Sequence, residues 1–468
     1  MLYNSLHFLV FFIVVTIAYF QLPWRGRWIL LLGASCYFYM AFIPKYIIIL
    51  GFTIVIDYIA GIQIEKARGF QRRLWLIASL VANISILGVF KYFNFFIINV
   101  NAALFYAGMP TTLPFLNFLL PIGLSFHTFQ AMSYTIEVYR GTQKAERHFG
   151  IYSLYVMFYP QLVAGPIERP QNVLHQFHEK HSFDSEKLKS GLMQMAFGLF
   201  KKVVIADRLA LVVDGAYGKI GSHNSTTLLI GTIFYAFQIY CDFSGYSDIG
   251  IGAARVMGFD LIRNFDQPYT ARSIPEFWRR WHISLSTWFR DYLYIPLGGN
   301  RVNYSRRLFN IFLVFLISGL WHGASWTFII WGALHGIYQL VGQLWNKYFP
   351  PWEAFERTWP KRIWDLVTTF SLVTFAWIFF RAHDVQDAFL VVRKLFIERS
   401  YQVPDLALNS NEVLLCVLLI VSLLYKEHLY PVITTSSTWK SMIILGALLV
   451  VCYFLGVFDH SQFIYFQF

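Results

Sequence analysis

Apolar runs long enough to cross a membrane recur from one end of this chain to the other. A spanning helix needs roughly 17 to 25 apolar residues, because each residue adds about 1.5 Å along the axis. The first run lacks a preceding basic segment and a small-residue cleavage site, so we expect it to remain as a membrane helix. The pattern predicts an all-α polytopic membrane protein with about 11 to 12 transmembrane helices. The runs lie near 5–21, 28–44, 46–62, 74–90, 92–108, 113–136, 190–214, 226–241, 308–342, 363–380, 411–425 and 440–457.

The composition favours a membrane setting and excludes several other classes of protein. Of the 468 residues, 57% are hydrophobic and only 14% are charged, whereas soluble domains carry about 25% charge. A soluble multidomain protein, a disordered chain, a collagen and a coiled coil do not fit these values. No linker or repeat separates modules, so we predict one membrane domain over 1–468. It comprises N-terminal helices in 1–136, a core in 137–345 that contains the block 254–307, and C-terminal helices in 346–468.

The basic residues predict how the chain is oriented. The formal net charge is +12, and lysine and arginine collect in the cytoplasmic loops of membrane proteins. The loops after the first and third apolar runs are both basic, which predicts that the N-terminus lies outside. The residues concerned are Arg25, Arg27, Lys66, Arg68, Arg72 and Arg73.

Two long stretches do not have the pattern of simple spans. Residues 142–189 mix charged and apolar residues in a way that is typical of interfacial or re-entrant segments. Residues 254–307 interleave arginines with aromatics, which indicates a basic amphipathic block at the membrane interface. Guanidinium groups bind phosphate and aromatic rings stack on bases, so this block could hold coenzyme A. Anionic lipid headgroups explain the arginines equally well.

One histidine lies inside the apolar run 308–342. His322 is about fourteen residues, or roughly 21 Å, into that run, which is near mid-membrane depth. A buried imidazole there costs several kcal/mol unless it is satisfied, so its position favours a function. The alternative is a neutral histidine bonded between helices. Gly323 leaves room for a ligand or a backbone beside the ring, and Trp321 supplies a flat wall.

Two other histidines are less informative from position alone. His335 lies some 20 Å further along the same run and on roughly the opposite face if the helix is continuous, so we expect it to be structural. His282 belongs to the basic block 254–307, where nothing in its own spacing selects catalysis.

Acidic and hydroxyl side chains follow the apolar run 226–241. Asp242 and Ser244 stand at its end, where they could cap helix termini or orient a histidine. The four cysteines form no CxxC pair, and HExxH and EF-hand spacings are absent, so we expect neither a metal site nor a disulfide framework. P-loop and nucleophile-elbow motifs are absent as well.

A series of motifs follows in order along nearly the whole chain. They are Pro121–Phe126 with Val138–Gly141, Phe158–Glu168, Asp242–Asp248, Ser273–Ser286, Leu320–Gly323, Phe379–Ala382 and the terminal Phe463–Phe468. Taken together, these motifs resemble the membrane-bound O-acyltransferases, and specifically the bacterial branch typified by the alginate O-acetylase.

The resemblance implies a fold and a set of roles. We expect a multi-helix membrane fold with a tunnel, the acyl donor entering from the cytoplasm and the acceptor from outside. His322 matches the family's membrane-embedded catalytic histidine, and His282 matches its second signature position. Imidazole, with an ordinary pKa near 6.5, suits a general base at neutral pH, which is the role expected for His322. The residues expected to bind or position substrate are Trp321, Asp242, Ser244, Trp281, Arg279 and Arg280.

The function predicted from these motifs is O-acetylation of an exported polysaccharide, such as alginate or cellulose. The expected donor is acetyl-CoA, with no permanently bound cofactor, no metal and no nucleic acid. Because no sizeable external domain is visible, a periplasmic acetyltransferase partner is expected at the bacterial inner membrane. Peptidoglycan O-acetylation and D-alanyl transfer to teichoic acid are alternatives. A transporter, or a structural subunit of a polysaccharide export complex, is the alternative of another class.

Overall fold

The structure, a computed structural model, is built from helices. It describes residues 1–109, 111–117, 120–163, 165–349, 358–429, 438–458 and 463–464. Within these ranges the chain has no β-strand, which agrees with the all-α prediction. The chain divides into two compact units, one of residues 1–195 and 247–262 and one of residues 196–246 and 263–468. The single membrane domain stays a prediction.

Twenty α-helices follow one another in the described residues. Helices α1 to α10 are Leu6–Gln21, Trp24–Met40, Ile47–Lys66, Gly69–Leu87, Phe93–Tyr106, Leu124–Arg140, Phe149–Met157, Tyr159–Leu162, Pro170–Val173 and Ser185–Leu199. Helices α11 to α20 are Asp207–Gly218, Ser225–Val256, Ile274–Arg280, Ile283–Phe289, Tyr304–His322, Trp326–Tyr348, Trp359–Arg381, Val385–Arg393, Ser410–Leu429 and Thr438–Leu455. Two π-helical turns, Gly88–Tyr92 and Phe200–Ala206, join α4 to α5 and α10 to α11.

Several helices have the length and composition of membrane spans. Four stretches of the described chain qualify, namely Pro44–Lys66, Gly69–Tyr106, Ser225–Val256 and Trp359–Arg381, with Leu6–Gln21 and Trp439–Leu455 as shorter apolar helices. Large apolar side chains such as Leu9, Val81 and Val450 are exposed on them. Exposed apolar faces of this kind suit contact with lipid tails, so the helices fit a membrane protein. The number of crossings stays a prediction.

The short elements lie where the sequence predicted no simple spans. In 142–189, α7 has nine residues and α8 and α9 have four each, which is too short for a bilayer. In 254–307, α13 and α14 have seven residues each. The location of both stretches at a membrane interface stays a prediction.

Two predicted spans are in fact one helical stretch. The runs 74–90 and 92–108 belong to Gly69–Tyr106, which is 38 residues long. The π-helical turn Gly88–Tyr92 keeps the backbone helical between them. No proline separates the two runs, so nothing in the chain removes a backbone donor and ends the helix there.

The predicted span 113–136 is helical only from Leu124. Pro121 lacks an N–H, and Gly123 adopts the left-handed conformation with φ 75°, so the backbone turns before the helix begins. Upstream, the Asn94 side chain donates to and accepts from the backbone of Leu116. These bonds satisfy backbone groups of a segment without regular secondary structure. Residues 118–119 lie outside the described part of the run.

The long apolar run 308–342 forms two helices, so the condition of a continuous helix, under which His335 was expected on the opposite face, is not met. Helix α15 ends at His322 and α16 begins at Trp326. Gly323 is extended, and the Ser325 hydroxyl accepts from the Thr327 N–H as the N-cap of α16. The two helices pack together as an antiparallel hairpin, so His322 stands at the turn.

Each unit has its own buried core. In the first, the rings of Tyr134 and Tyr152 lie 4.5 Å apart, and Asp57 accepts hydrogen bonds from Ser79 and Asn83. In the second, aromatic rings fill the interior around α12 and the hairpin. The fully buried side chains there include Trp281, Trp331, Trp377 and Tyr235.

Candidate active site

The turn that carries His322 is formed by close helix packing. A Cβ on Gly319 would lie 2.3 Å from the Phe328 carbonyl oxygen, and one on Gly332 would lie 2.4 Å from that of Phe315. Both distances are shorter than real contacts, so only glycine lets α15 and α16 approach this closely. The hairpin therefore holds His322 on two packed helices.

Aromatic rings enclose His322, which is 4% exposed. The centroids of Trp321 and Trp331 lie 5.0 Å from the imidazole and that of Phe380 lies 5.4 Å from it, all edge-on. A Cβ on Gly323 would lie 2.1 Å from the Phe328 ring. The space beside Gly323 is thus taken by Phe328, and the expectation that it admits a ligand or backbone is wrong.

His282 is buried and held by an asparagine. It precedes α14 with φ 44°, a left-handed conformation that side chains other than glycine adopt uncommonly. Its Nδ1 lies 3.1 Å from Asn264 Oδ1, which also accepts from the Ser284 N–H and hydroxyl. The Ile283 N–H donates to the Asn264 carbonyl. Since Oδ1 can only accept, we assign the His282 proton to Nδ1.

The environment of His282 favours the neutral imidazole. The side chain is fully buried, and this desolvation lowers the pKa of His282 to about 3. Its ring meets the Phe243 ring edge-on at 4.6 Å. His282 therefore stays uncharged near neutral pH, as a proton acceptor or an orienting group requires.

The structure brings the two histidines together around one indole. The Trp321 ring lies 6.4 Å from His282 and 5.0 Å from His322. His335 lies further along the hairpin, 5.0 Å from Trp331, and its Nδ1 accepts from Trp278 Nε1 at 3.3 Å. This hydrogen bond is consistent with a structural role for His335.

Asp242 and Ser244 lie inside α12 and not at its end, so the prediction that they cap helix termini is wrong. Asp242 pairs with Lys202 at 2.6 Å, and Ser244 Oγ accepts from Lys201 Nζ at 2.9 Å. All four side chains are buried. Reasoning from the sequence missed both lysines, although two adjacent ammonium groups within the apolar run 190–214 were a signal for buried partners.

The remaining predicted site residues of α13 have different surroundings. Trp281 is packed between Phe277 and Trp377, with centroids 5.4 and 5.2 Å away. Arg280 donates to Glu276 and to the Thr270 hydroxyl.

Arg279 is exposed and borders a largely apolar pocket of about 350 Å³. The side chains that line this pocket include Trp278, Phe289, Arg290, Phe315 and Gln339. Arg279 and Arg280 were both expected to bind substrate. Of the two, only Arg279 borders this pocket.

This arrangement has the parts that acyl transfer needs. A neutral imidazole can accept the proton of an attacking hydroxyl, and an aromatic enclosure keeps water from hydrolysing the donor. A rim guanidinium beside an apolar pocket can hold a phosphate-bearing ligand.

Comparison with known proteins agrees with this chemistry. Residues 143–382 match the model of MBOAT, the membrane-bound O-acyltransferase family. The probable alginate O-acetylase AlgI of Pseudomonas aeruginosa is 40% identical over 416 residues, which cover 87% of this chain and 77% of that protein. The peptidoglycan O-acetyltransferase of Helicobacter pylori is 36% identical over 493 residues, covering 94% of this chain and 91% of that protein.

A more distant relative is named for a different acyl transfer. The teichoic acid D-alanyltransferase of Streptococcus thermophilus is 31% identical over 246 residues, which cover 50% of this chain and 58% of that protein. Since the family model matches residues 143–382 and the alignment with a probable O-acetylase covers 87% of the chain, this protein belongs to the membrane-bound O-acyltransferase family and is a membrane acyltransferase.

Proposed function

We propose that this acyltransferase moves an acetyl group from cytoplasmic acetyl-CoA across the membrane for O-acetylation of an exported polysaccharide of the alginate or cellulose kind. The observation that carries the proposal is the buried pair His322 and His282, both of which lie next to the Trp321 ring. The similarity to the P. aeruginosa alginate O-acetylase supports an acetyl group and a polysaccharide acceptor.

His322 is the general base in this proposal. The acceptor hydroxyl attacks the thioester carbonyl carbon while the imidazole takes its proton. The carbon–sulfur bond then breaks, and the imidazolium returns the proton to the departing thiolate, so atoms and charge balance. Proton transfer of this kind contributes about 10² to 10⁴ in rate. His282, held by Asn264 and adjacent to Trp321, orients the reactants.

Arg279 and its pocket are the proposed donor site. Coenzyme A carries phosphates that a guanidinium binds, and its pantetheine arm can lie along apolar walls. Arg280 and Trp281 are engaged by neighbouring side chains, so we propose that they position α13 and leave phosphate binding to Arg279. Asp242 and Ser244 are likewise held by lysines and act through them.

The cellular setting follows from the same proposal. The basic loops face the cytoplasm, the N-terminus lies outside, and the protein resides in the bacterial inner membrane. A periplasmic acetyltransferase partner completes delivery to the glycan.

The test is turnover of labelled acetyl-CoA by the purified protein in nanodiscs, measured both as hydrolysis and as acetyl transfer to a short oligosaccharide acceptor. We expect His322→Gln to lower kcat by about 10²-fold or more, since the base is lost. His335→Gln is the matched control, because it alters a histidine of the same hairpin and should retain activity within about ten-fold. Equal activity of His322→Gln and the unaltered protein, at equal abundance, would refute the role of His322. Saturable transport of a solute across the membrane, without any acyl transfer, would favour a transporter.

Peptidoglycan is the second candidate acceptor. The H. pylori peptidoglycan O-acetyltransferase aligns over 94% of this chain, more than the 87% aligned with the P. aeruginosa protein. Acetyl content of purified exopolysaccharide and of peptidoglycan, compared between cells with and without this gene, decides between them. The glycan that loses acetyl groups is the acceptor.

A further inference from the structure

The described end of the chain is buried in the second unit. Phe463 is 0% and Ile464 is 5% exposed, although the last helix ends at Leu455. The contacts of these two residues show what holds them there.

A buried ion-pair network binds the backbone at Ile464. The Ile464 N–H donates to Asp242 Oδ2 at 2.7 Å. Lys202 Nζ lies 2.6 Å from Asp242 Oδ1 and 2.7 Å from Asp207 Oδ1. A backbone donor bound to a buried carboxylate, which is itself paired, is a strong hydrogen bond. Asp242 thus joins the end of the chain to the π-helical turn Phe200–Ala206.

Two further hydrogen bonds hold the backbone at the end of α20 and just after it. The Val457 N–H donates to the Val203 carbonyl at 2.8 Å. Arg208 Nη2 donates to the Leu455 carbonyl at 2.6 Å. Val203 lies in the π-helical turn and Arg208 in α11, so two consecutive elements fix the direction in which residues 455–458 leave the helix.

Aromatic contacts link the chain end to His282. The Phe463 ring stacks on Tyr246 with centroids 4.4 Å apart and lies 5.7 Å from Phe243. Phe243 in turn meets His282 edge-on at 4.6 Å. One aromatic ring therefore separates Phe463 from the buried imidazole.

We propose that Asp242 is a positioning residue that, together with Lys202, clamps the C-terminal residues Phe463 and Ile464 behind Phe243, so that the chain end supports the His282 wall of the active site. This role differs from substrate binding, because both carboxylate oxygens of Asp242 are used within the protein. Its catalytic part rests on the function proposed above, whereas the clamp itself does not.

Hydrogen exchange of the full-length protein in nanodiscs tests the clamp without reference to activity. In Asp242→Ala we expect the Ile464 amide to exchange at least about ten-fold faster, because its acceptor is gone. Asp248→Ala removes the same residue type from the same helix, where it accepts from Gln194, and should leave this amide protected. Unchanged exchange at Ile464 in Asp242→Ala would overturn the proposal, and so would equal exposure in both variants.

Kinetics test the positioning role with a variant that leaves the ion pairs intact. Ile464→Pro removes the backbone donor together with the isoleucine side chain, while Ile464→Ala removes the side chain beyond Cβ and keeps the donor, so it is the control. We expect Ile464→Pro to lower kcat about ten-fold with the KM for acetyl-CoA within about two-fold, because none of these residues lines the Arg279 pocket.

The two measurements separate the possible failures. The positioning role of Asp242 would be overturned if the Ile464 amide exchanged faster in Asp242→Ala while kcat was unchanged in both Asp242→Ala and Ile464→Pro. If the unaltered protein neither hydrolyses acetyl-CoA nor transfers its acetyl group, the proposed function fails, and the exchange result still decides the clamp.

Discussion

At the scale of residues, the chemistry of the site depends on how two imidazoles are held. His322 is fixed by its place at the end of α15 and by the rings of Trp321, Trp331 and Phe380. His282 is held by a hydrogen bond to Asn264 within a strained turn. Left-handed backbone at a non-glycine residue costs about 1 to 3 kcal/mol and marks many functional sites.

The burial of His282 predicts a pH-dependent loss of stability. Its pKa in the folded protein, about 3, lies below the ordinary value of 6.5. The unfolded chain therefore binds a proton as the pH falls below about 6.5 while the folded protein does not. Stability decreases in that direction, by up to about 1.4 kcal/mol per pH unit.

The measurement is the free energy of unfolding in detergent at pH 7.5 and pH 5.5 for the unaltered protein and for His282→Gln. The glutamine variant cannot titrate but can still donate to Asn264. We expect the unaltered protein to lose more stability on acidification than the variant. The same loss in both proteins would contradict the assignment.

At the scale of elements, the hairpin of α15 and α16 is the structure that places His322. The close approach of the two helices depends on Gly319 and Gly332, because residues without a Cβ atom let the two backbones come into contact. A continuous helix would have carried His322 and His335 to opposite faces. The break at Gly323 instead folds the run back on itself.

Gly319→Ala should therefore destabilise the hairpin. The new methyl group would lie 2.3 Å from a carbonyl oxygen, and overpacking of this kind costs about 1 to 3 kcal/mol. Gly342→Ala is the control, because no atom lies within 4 Å of a Cβ there. In an interior helical position alanine should be neutral or stabilising by about 0.5 to 1 kcal/mol.

Thermal unfolding of the two variants, followed in the same detergent, measures the difference. We expect a lower Tm for Gly319→Ala and an unchanged or higher Tm for Gly342→Ala. If both glycines tolerate alanine equally well, the close approach of α15 and α16 does not hold.

At the scale of the whole molecule, the scarcity of charge determines where the protein resides. With 57% hydrophobic and 14% charged residues, the exposed apolar faces of its helices can only be covered by lipid. The net charge of +12 supports the proposed orientation, because lysine and arginine collect in the cytoplasmic loops of membrane proteins.

Sidedness predicts which face of the membrane uses acetyl-CoA. The donor does not cross membranes unaided, so sealed inverted vesicles should transfer acetyl groups and sealed right-side-out vesicles should not. Permeabilising both preparations should make their rates equal. Equal rates in the sealed preparations would contradict a cytoplasmic donor site.

Much of the fold class, the family and the candidate base could be predicted from the sequence. Apolar runs, ordered motifs and a histidine in an apolar segment are properties of neighbouring residues, and they can be recognised without a fold. Element boundaries were less predictable, because hydropathy alone does not register the helix break at Gly323, the π-helical turn Gly88–Tyr92 or the continuation of α12 beyond Cys241.

The sequence by itself thus determined that this chain is a helical membrane acyltransferase with His322 as its foremost catalytic candidate. Only the tertiary structure decided that Asn264 holds His282, that Arg279 rather than Arg280 borders the pocket, and that Asp242 binds Lys202 and the backbone of Ile464. The physical reason is distance along the chain. Asp242 and Ile464 are 222 positions apart, and a hydrogen bond between such residues exists only once helices have packed.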